Sequence, residues 1–189
     1  MGYDEKIFKA KANIKARRLW LVFAILLTAN YGTDTANGAY SVSNYIIFVI
    51  LCWLPFVCGD ILLKRKGKDN DHYRLAFVIG YGIFYVFLLC TTTSPIAFTY
   101  ILPIISLIVI FKDEKFMIYC AVANMLSLIA SIAFHIFVLG QNTAVDHKNY
   151  QLQIACLLLC YIGYIMSVRH LTESDAALTE SIKSDLNRV

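Results

Sequence analysis

The sequence predicts an all-α, polytopic membrane bundle of six transmembrane helices. Both termini face the cytoplasm, and the last helix continues into it. Three observations predict this class. The 189 residues are 59% hydrophobic and 16% charged, against roughly half and a quarter in soluble domains. The excess lies in runs mostly about 16 to 24 residues long and nearly free of charge, enough to cross a hydrocarbon core of roughly 30 Å at about 1.5 Å per residue. Finally, every lysine and arginine except Lys148 falls in four segments that a six-span chain puts on one side. The positive-inside rule makes that side the cytoplasm.

Residues 1–18 form a basic N-terminal segment carrying Lys6, Lys9, Lys11, Lys15, Arg17 and Arg18. Ile7, Ala10 and Ile14 recur at helical spacing. That pattern fits a basic amphipathic helix on the inner leaflet and equally an unstructured positive segment. The bundle itself occupies 19–168. Its first span, 19–31, is short and draws on its flanks. The second, 44–63, is followed by the basic loop KRKGKDNDHYR, and the third covers 75–92. The fourth covers 96–111 and turns at KDEK into the fifth, 116–139. The sixth covers 151–168 and runs into a charged segment, 169–189. Pro55 and Pro103 are expected to kink the second and fourth spans, and Pro95 sits in an outer turn. Tyr31, Tyr40, Tyr45, Tyr100 and Tyr150 gather at outer span ends, with Trp20, Tyr73 and Tyr119 near inner ones, as interfacial aromatic belts do. The outer loops are too short to fold into a separate ligand-binding domain, so any stimulus would have to be sensed in the bundle, at its outer rim or through the lipid.

Two stripes of small and polar residues mark helix faces. Cys120, Asn124, Ser127, Ser131 and His135 are spaced 4, 3, 4 and 4. Gln153, Cys156, Cys160, Gly163 and Ser167 are spaced 3, 4, 3 and 4. Such faces let membrane helices approach and hydrogen-bond, so they are expected to turn inward. Asn124, Ser127, Cys156, Cys160 and Gly163 are then helix-packing residues. An ionisable residue inside the membrane is a functional candidate. His135, with Ser131, Asn30, Tyr100 and Gln153 at similar depth, gives an outward-facing, ligand-sensing pocket; the competing reading of His135 is a satisfied packing residue. Asp60, four residues before Lys64, reads as an i,i+4 pair with a snorkelling partner. Cys156 and Cys160 lie one turn apart without a second ligand pair, which favours packing over a soft metal. The six cysteines all fall in apolar runs, unlike a secreted disulfide framework. No catalytic fingerprint is present. The chain reads as non-catalytic and without cofactor, with the lipid bilayer and not nucleic acid as its surroundings.

The segment RHLTESDAALTESIKSDLNRV lacks glycine and proline and favours helix, so the sixth span is expected to run on as one rod. Leu171, Leu178, Ile182 and Val189 fit a and d positions of one heptad frame. LTESDAALTESIKSDLNRV resembles the juxtamembrane lead-in of bacterial methyl-accepting chemotaxis receptors with polytopic sensors. The resemblance implies the N-terminal, six-span sensor module of such a receptor, multi-pass in the bacterial cytoplasmic membrane and homodimeric. A signalling hairpin beyond Val189 would then dock a histidine kinase and its adaptor. The large periplasmic sensor and HAMP segment of commoner members are absent from this sequence. The alternatives are a small secondary transporter, or the same sensor joined to a histidine kinase or diguanylate cyclase.

Overall fold

The computed structural model describes residues 2–92 and 94–186. They are helical, with no strand among them. Six helices follow in order: α1 (Gly2–Ala36), α2 (Val42–Lys66), α3 (His72–Thr91), α4 (Leu102–Ile108), α5 (Glu114–Phe137) and α6 (Ala144–Leu186). Four of them, α2, α3, α5 and α6, are long and apolar enough to cross a membrane. Exposed Leu, Ile and Val side chains cover their outer surfaces. Water would not tolerate that much apolar surface, whereas lipid does.

The basic N-terminal segment is continuous with the first apolar run. α1 is one helix of 35 residues. Its buried stripe, Ala12, Ala16, Trp20, Ala24, Leu27 and Tyr31, advances by three and four and crosses the expected boundary at residue 18. Ile7, Ala10 and Ile14 are only half-buried. The small Ala16 lets α1 close on Leu63 and Tyr73. Asn13 Nδ2 donates to the carbonyls of Lys68 (2.9 Å) and Asn70 (3.0 Å), fastening α1 to the α2–α3 turn.

The fourth apolar segment is a broken element. Only Leu102–Ile108 is α-helical, between 3-10 turns at Ala97–Ile101 and Val109–Phe111. Pro103 lies in the first turn of α4 and starts it, where its missing N–H costs least; it does not kink a longer helix. The irregular turn keeps its carbonyls paired through α3. Tyr85 Oη donates to Phe98 O at 3.0 Å, and Tyr81 Oη donates to Tyr100 O. Ile101, Ile104, Ile105, Leu107 and Ile108 are buried, so α4 packs one broad face against its neighbours, while Pro103 and Ser106 on its other face are exposed. Such backbone is tolerated at membrane depth only inside protein. Around it packs an aromatic core in which Trp20 meets Phe77 and Tyr81 edge-on, at 5.3 and 5.2 Å.

One end of the bundle is charged and cross-linked. Arg17 Nε lies 2.5 Å from Asp60 Oδ1, and Lys64 Nζ 2.9 Å from Asp60 Oδ2. Lys9 pairs with Asp71, Arg74 with Asp113, Lys112 with Asp175, and Arg169 with Glu114. The N-terminal segment, both basic turns and the start of the charged C-terminal segment thus meet at this end. α6 runs unbroken for 43 residues, about 65 Å. Its residues from Arg169 onward are exposed as far as Leu186, and the Val189 heptad position lies outside the described residues.

Candidate functional site

The opposite end of the bundle holds two cavities, and the first is built on the α5–α6 turn. α5 stops where Gly140 adopts φ +68°, a left-handed turn that glycine makes without strain. The chain then folds back, and Gln141 N donates to His135 O at 3.0 Å. α6 restarts in a reciprocal cap: Thr143 Oγ1 accepts from Asp146 N at 3.2 Å, while Asp146 Oδ2 accepts from Thr143 N at 2.9 Å. This is the capping-box arrangement with aspartate at the fourth position.

The folded-back turn seats Gln141 against His135. His135 is 8% exposed. Its Nε2 lies 2.8 Å from the Leu89 carbonyl and its Nδ1 2.7 Å from Gln141 Oε1. The Leu89 carbonyl can only accept, so Nε2 donates to it, and Nδ1 then accepts from Gln141 with that side-chain amide turned to present its NH2. The imidazole therefore clasps α3, α5 and the turn together. His135, Ser131, Gln141, Asp146, Tyr150 and Gln153 line a cavity of about 70 Å³, room for a few waters or one small polar solute. Gln153 Nε2 donates to Pro95 O at 2.8 Å, and Ser131 Oγ to Leu128 O at 2.9 Å.

Asn30 and Tyr100 lie elsewhere. They line a second cavity, of about 140 Å³, with Tyr31, Asp34 and Tyr40. Tyr31 is stacked between Tyr40 (4.1–4.3 Å centroid distances on its two sides) and Phe48, and its hydroxyl is buried without a hydrogen-bond partner among the described residues. The five expected sensing residues are thus split three and two. Thr92 and Ser94 line both cavities, so the segment after α3 is the wall between them. Gln141, Asp146 and Tyr150 were not anticipated. The T-x-x-D spacing of Thr143 and Asp146 was the available signal, since it fixes where α6 begins.

The expected packing stripes hold on α5 and shift on α6. Cys120, Asn124, Ser131 and His135 are buried. Ser127 is half-buried and bonds back to Ala123 O at 2.9 Å. On α6 the buried residues are Leu157, Tyr161 and Val168. Cys156 and Cys160 flank them half-buried, but Gly163 and Ser167 are exposed, and a Cβ on Gly163 would meet nothing within 4 Å. The inward face is rotated because Tyr161 takes the interior position, where Asn124 Nδ2 donates to its hydroxyl. A buried ring plus that hydrogen bond outweighs the close approach a glycine permits.

No protein-family model, no curated protein and no solved structure matches the chain.

Proposed function

We propose that this chain is the membrane sensor module of a bacterial receptor of the chemotaxis type, with six spans and both termini in the cytoplasm. A solute or a proton at the His135 cavity would change how the α5–α6 turn sits on α3. The change would pass along α6 to a cytoplasmic output. The observation that carries this reading is the path of α6. Its first turns supply Asp146, Tyr150 and Gln153 to the cavity, and the same helix reaches Leu186 without a break. Where α6 leaves the bundle, Arg169 meets Glu114 and Asp175 meets Lys112. A shift of α6 against α5 therefore has a register to break at that end.

Six spans require α1 and the Ala97–Phe111 segment to cross as well. The buried face of α4 and the pairing of the adjoining carbonyls by Tyr81 and Tyr85 support a crossing by this short, broken segment, and the basic residues of α1 share an end with the other charged turns. Homodimerisation through the exposed part of α6, and a histidine kinase with its adaptor as the output, belong to the same proposal.

The test joins the chain to the kinase-control hairpin of a chemotaxis receptor and reads kinase activity in membranes. Substitutions His135→Gln, Ser131→Ala and Gln153→Ala should shift the basal output. Leu171→Pro should uncouple it. Output indifferent to all four, with the protein inserted in the membrane, would sink the proposal. Labelling of single cysteines near Lys6 and Lys148 from either side checks the orientation.

A further inference from the structure

At the charged end, α1 and α2 leave a basic cavity of about 580 Å³ between them. Arg17, Arg18, Lys64 and Lys68 line it, against one carboxylate, Asp60. Asp60 is already occupied on both oxygens, by Arg17 and Lys64. Among the described residues, Arg18 and Lys68 form no ion pair. The cavity therefore carries excess positive charge that the protein itself leaves unmet.

Its apolar surroundings decide what kind of anion fits. Ile14 and Leu63 form part of the wall. Moving away from the charged end, Val22 and Ile25 continue the Ile14–Arg18 face of α1 by steps of three and four. Leu54, Val57 and Ile61 do the same on α2, and all five are exposed. A free anion would have no use for that surface. An amphiphile would use both parts, its headgroup in the basic cavity and its chains along the α1–α2 faces.

We propose that this cavity binds the headgroup of an anionic phospholipid. The phosphate would take Arg18 and Lys68, with Arg17 shared between the phosphate and Asp60. The guanidinium of Arg18 offers paired donors to phosphate oxygens, and Lys68 adds a mobile point charge. The inference needs the chain to lie in a bilayer but not the sensing proposal, whose site is at the other end.

The test uses the full chain in neutral detergent and native mass spectrometry. Phosphatidylglycerol and phosphatidylcholine of identical acyl chains are added separately, with and without millimolar inorganic phosphate. The wild type should retain phosphatidylglycerol in preference to phosphatidylcholine, and inorganic phosphate should not displace it. Arg18→Gln and Lys68→Gln should each lower phosphatidylglycerol retention by about fivefold and leave phosphatidylcholine unchanged. Both side chains are exposed, and an unchanged circular dichroism spectrum would verify folding. Lys148→Gln is the control and should have no effect. Equal retention of the two lipids, selectivity unmoved in the double variant, or displacement by inorganic phosphate alone would overturn the proposal. The last outcome would mark a free-anion site.

Discussion

Pro55 of α2 seats directly on Gly80 of α3. A Cβ built on Gly80 would stand 2.3 Å from Pro55 Cβ and 2.7 Å from Pro55 Cγ. A proline inside a helix leaves a carbonyl without its donor and adds a bulky ring, and here the neighbouring helix omits a side chain to receive that ring. Gly80→Ala is expected to force α2 and α3 apart and destabilise the bundle by about 1–3 kcal/mol. Gly82→Ala, two residues on, meets nothing within 4 Å and should be neutral or slightly stabilising. Thermal unfolding of both variants in one detergent checks the contrast; equal midpoints would refute the packing account.

The hydrogen bond from Asn124 to the Tyr161 hydroxyl joins α5 to α6 in the buried core. Tyr161→Phe and Asn124→Val should each destabilise, and together should cost less than their sum. The coupling expected of interhelical hydrogen bonds in membranes is about 0.6 kcal/mol, with an upper range near 1.7. A double-mutant cycle on denaturant unfolding in bicelles measures it, and strict additivity would count against the bond.

Asp113 caps α5 and ties it to α3. Its Oδ1 accepts from Phe116 N at 3.0 Å, and Oδ2 accepts from Arg74 Nη1 at 2.7 Å. Burial alone would raise its pKa, but the Phe116 amide and the Arg74 guanidinium outweigh it and hold the carboxyl below its ordinary value of 3.8. A folded-state pKa that is depressed contributes stability above the ordinary value and loses it as pH falls through the depressed one. Asp113→Ala should therefore cost about 1 kcal/mol at neutral pH for the lost cap, somewhat more with the lost pair. That deficit should shrink below about pH 3.8. Stability measured against pH for both proteins tests the sign.

His135 is predicted to hold the α5–α6 turn in place. His135→Leu leaves the buried Leu89 carbonyl without its donor, a loss of about 1–3 kcal/mol. His135→Gln should lose less, since an amide can still donate. The specific readout is hydrogen exchange. Amides from residues 138 to 146 should exchange faster in the leucine variant, whereas those of the α2–α3 turn should not change.

The helical class and the long apolar helices α2, α3, α5 and α6 were legible because they rest on long apolar runs, which survive small errors of register. The face of α5 was legible too: Cys120, Asn124, Ser131 and His135 are the minority polar residues on an apolar helix. α6 was harder. Two overlapping stripes, one small and one aromatic, compete for the interior, and only the position of Asn124 on the partner helix selects Tyr161. The break in the fourth segment depends on hydroxyls from Tyr81 and Tyr85, a tertiary compensation that no local pattern announces. The same holds for Arg17, whose reach to Asp60 crosses between helices. The candidate residues share one depth along the sequence, but depth alone does not tell that Thr92 and Ser94 stand between them.

The length of α6 carries its own mechanical arithmetic. Over about 65 Å, a pivot of one degree at the Asp146 end sweeps the Leu186 end through roughly 1 Å. Were α6 to pivot as a rigid beam against the Arg169–Glu114 and Lys112–Asp175 pairs, a displacement too small to notice among the ring and amide contacts around His135 would be magnified at the far tip. Gly163 is the sole glycine along this rod, and stiffening it to alanine would tell whether the amplification depends on flexure midway or on a rigid beam.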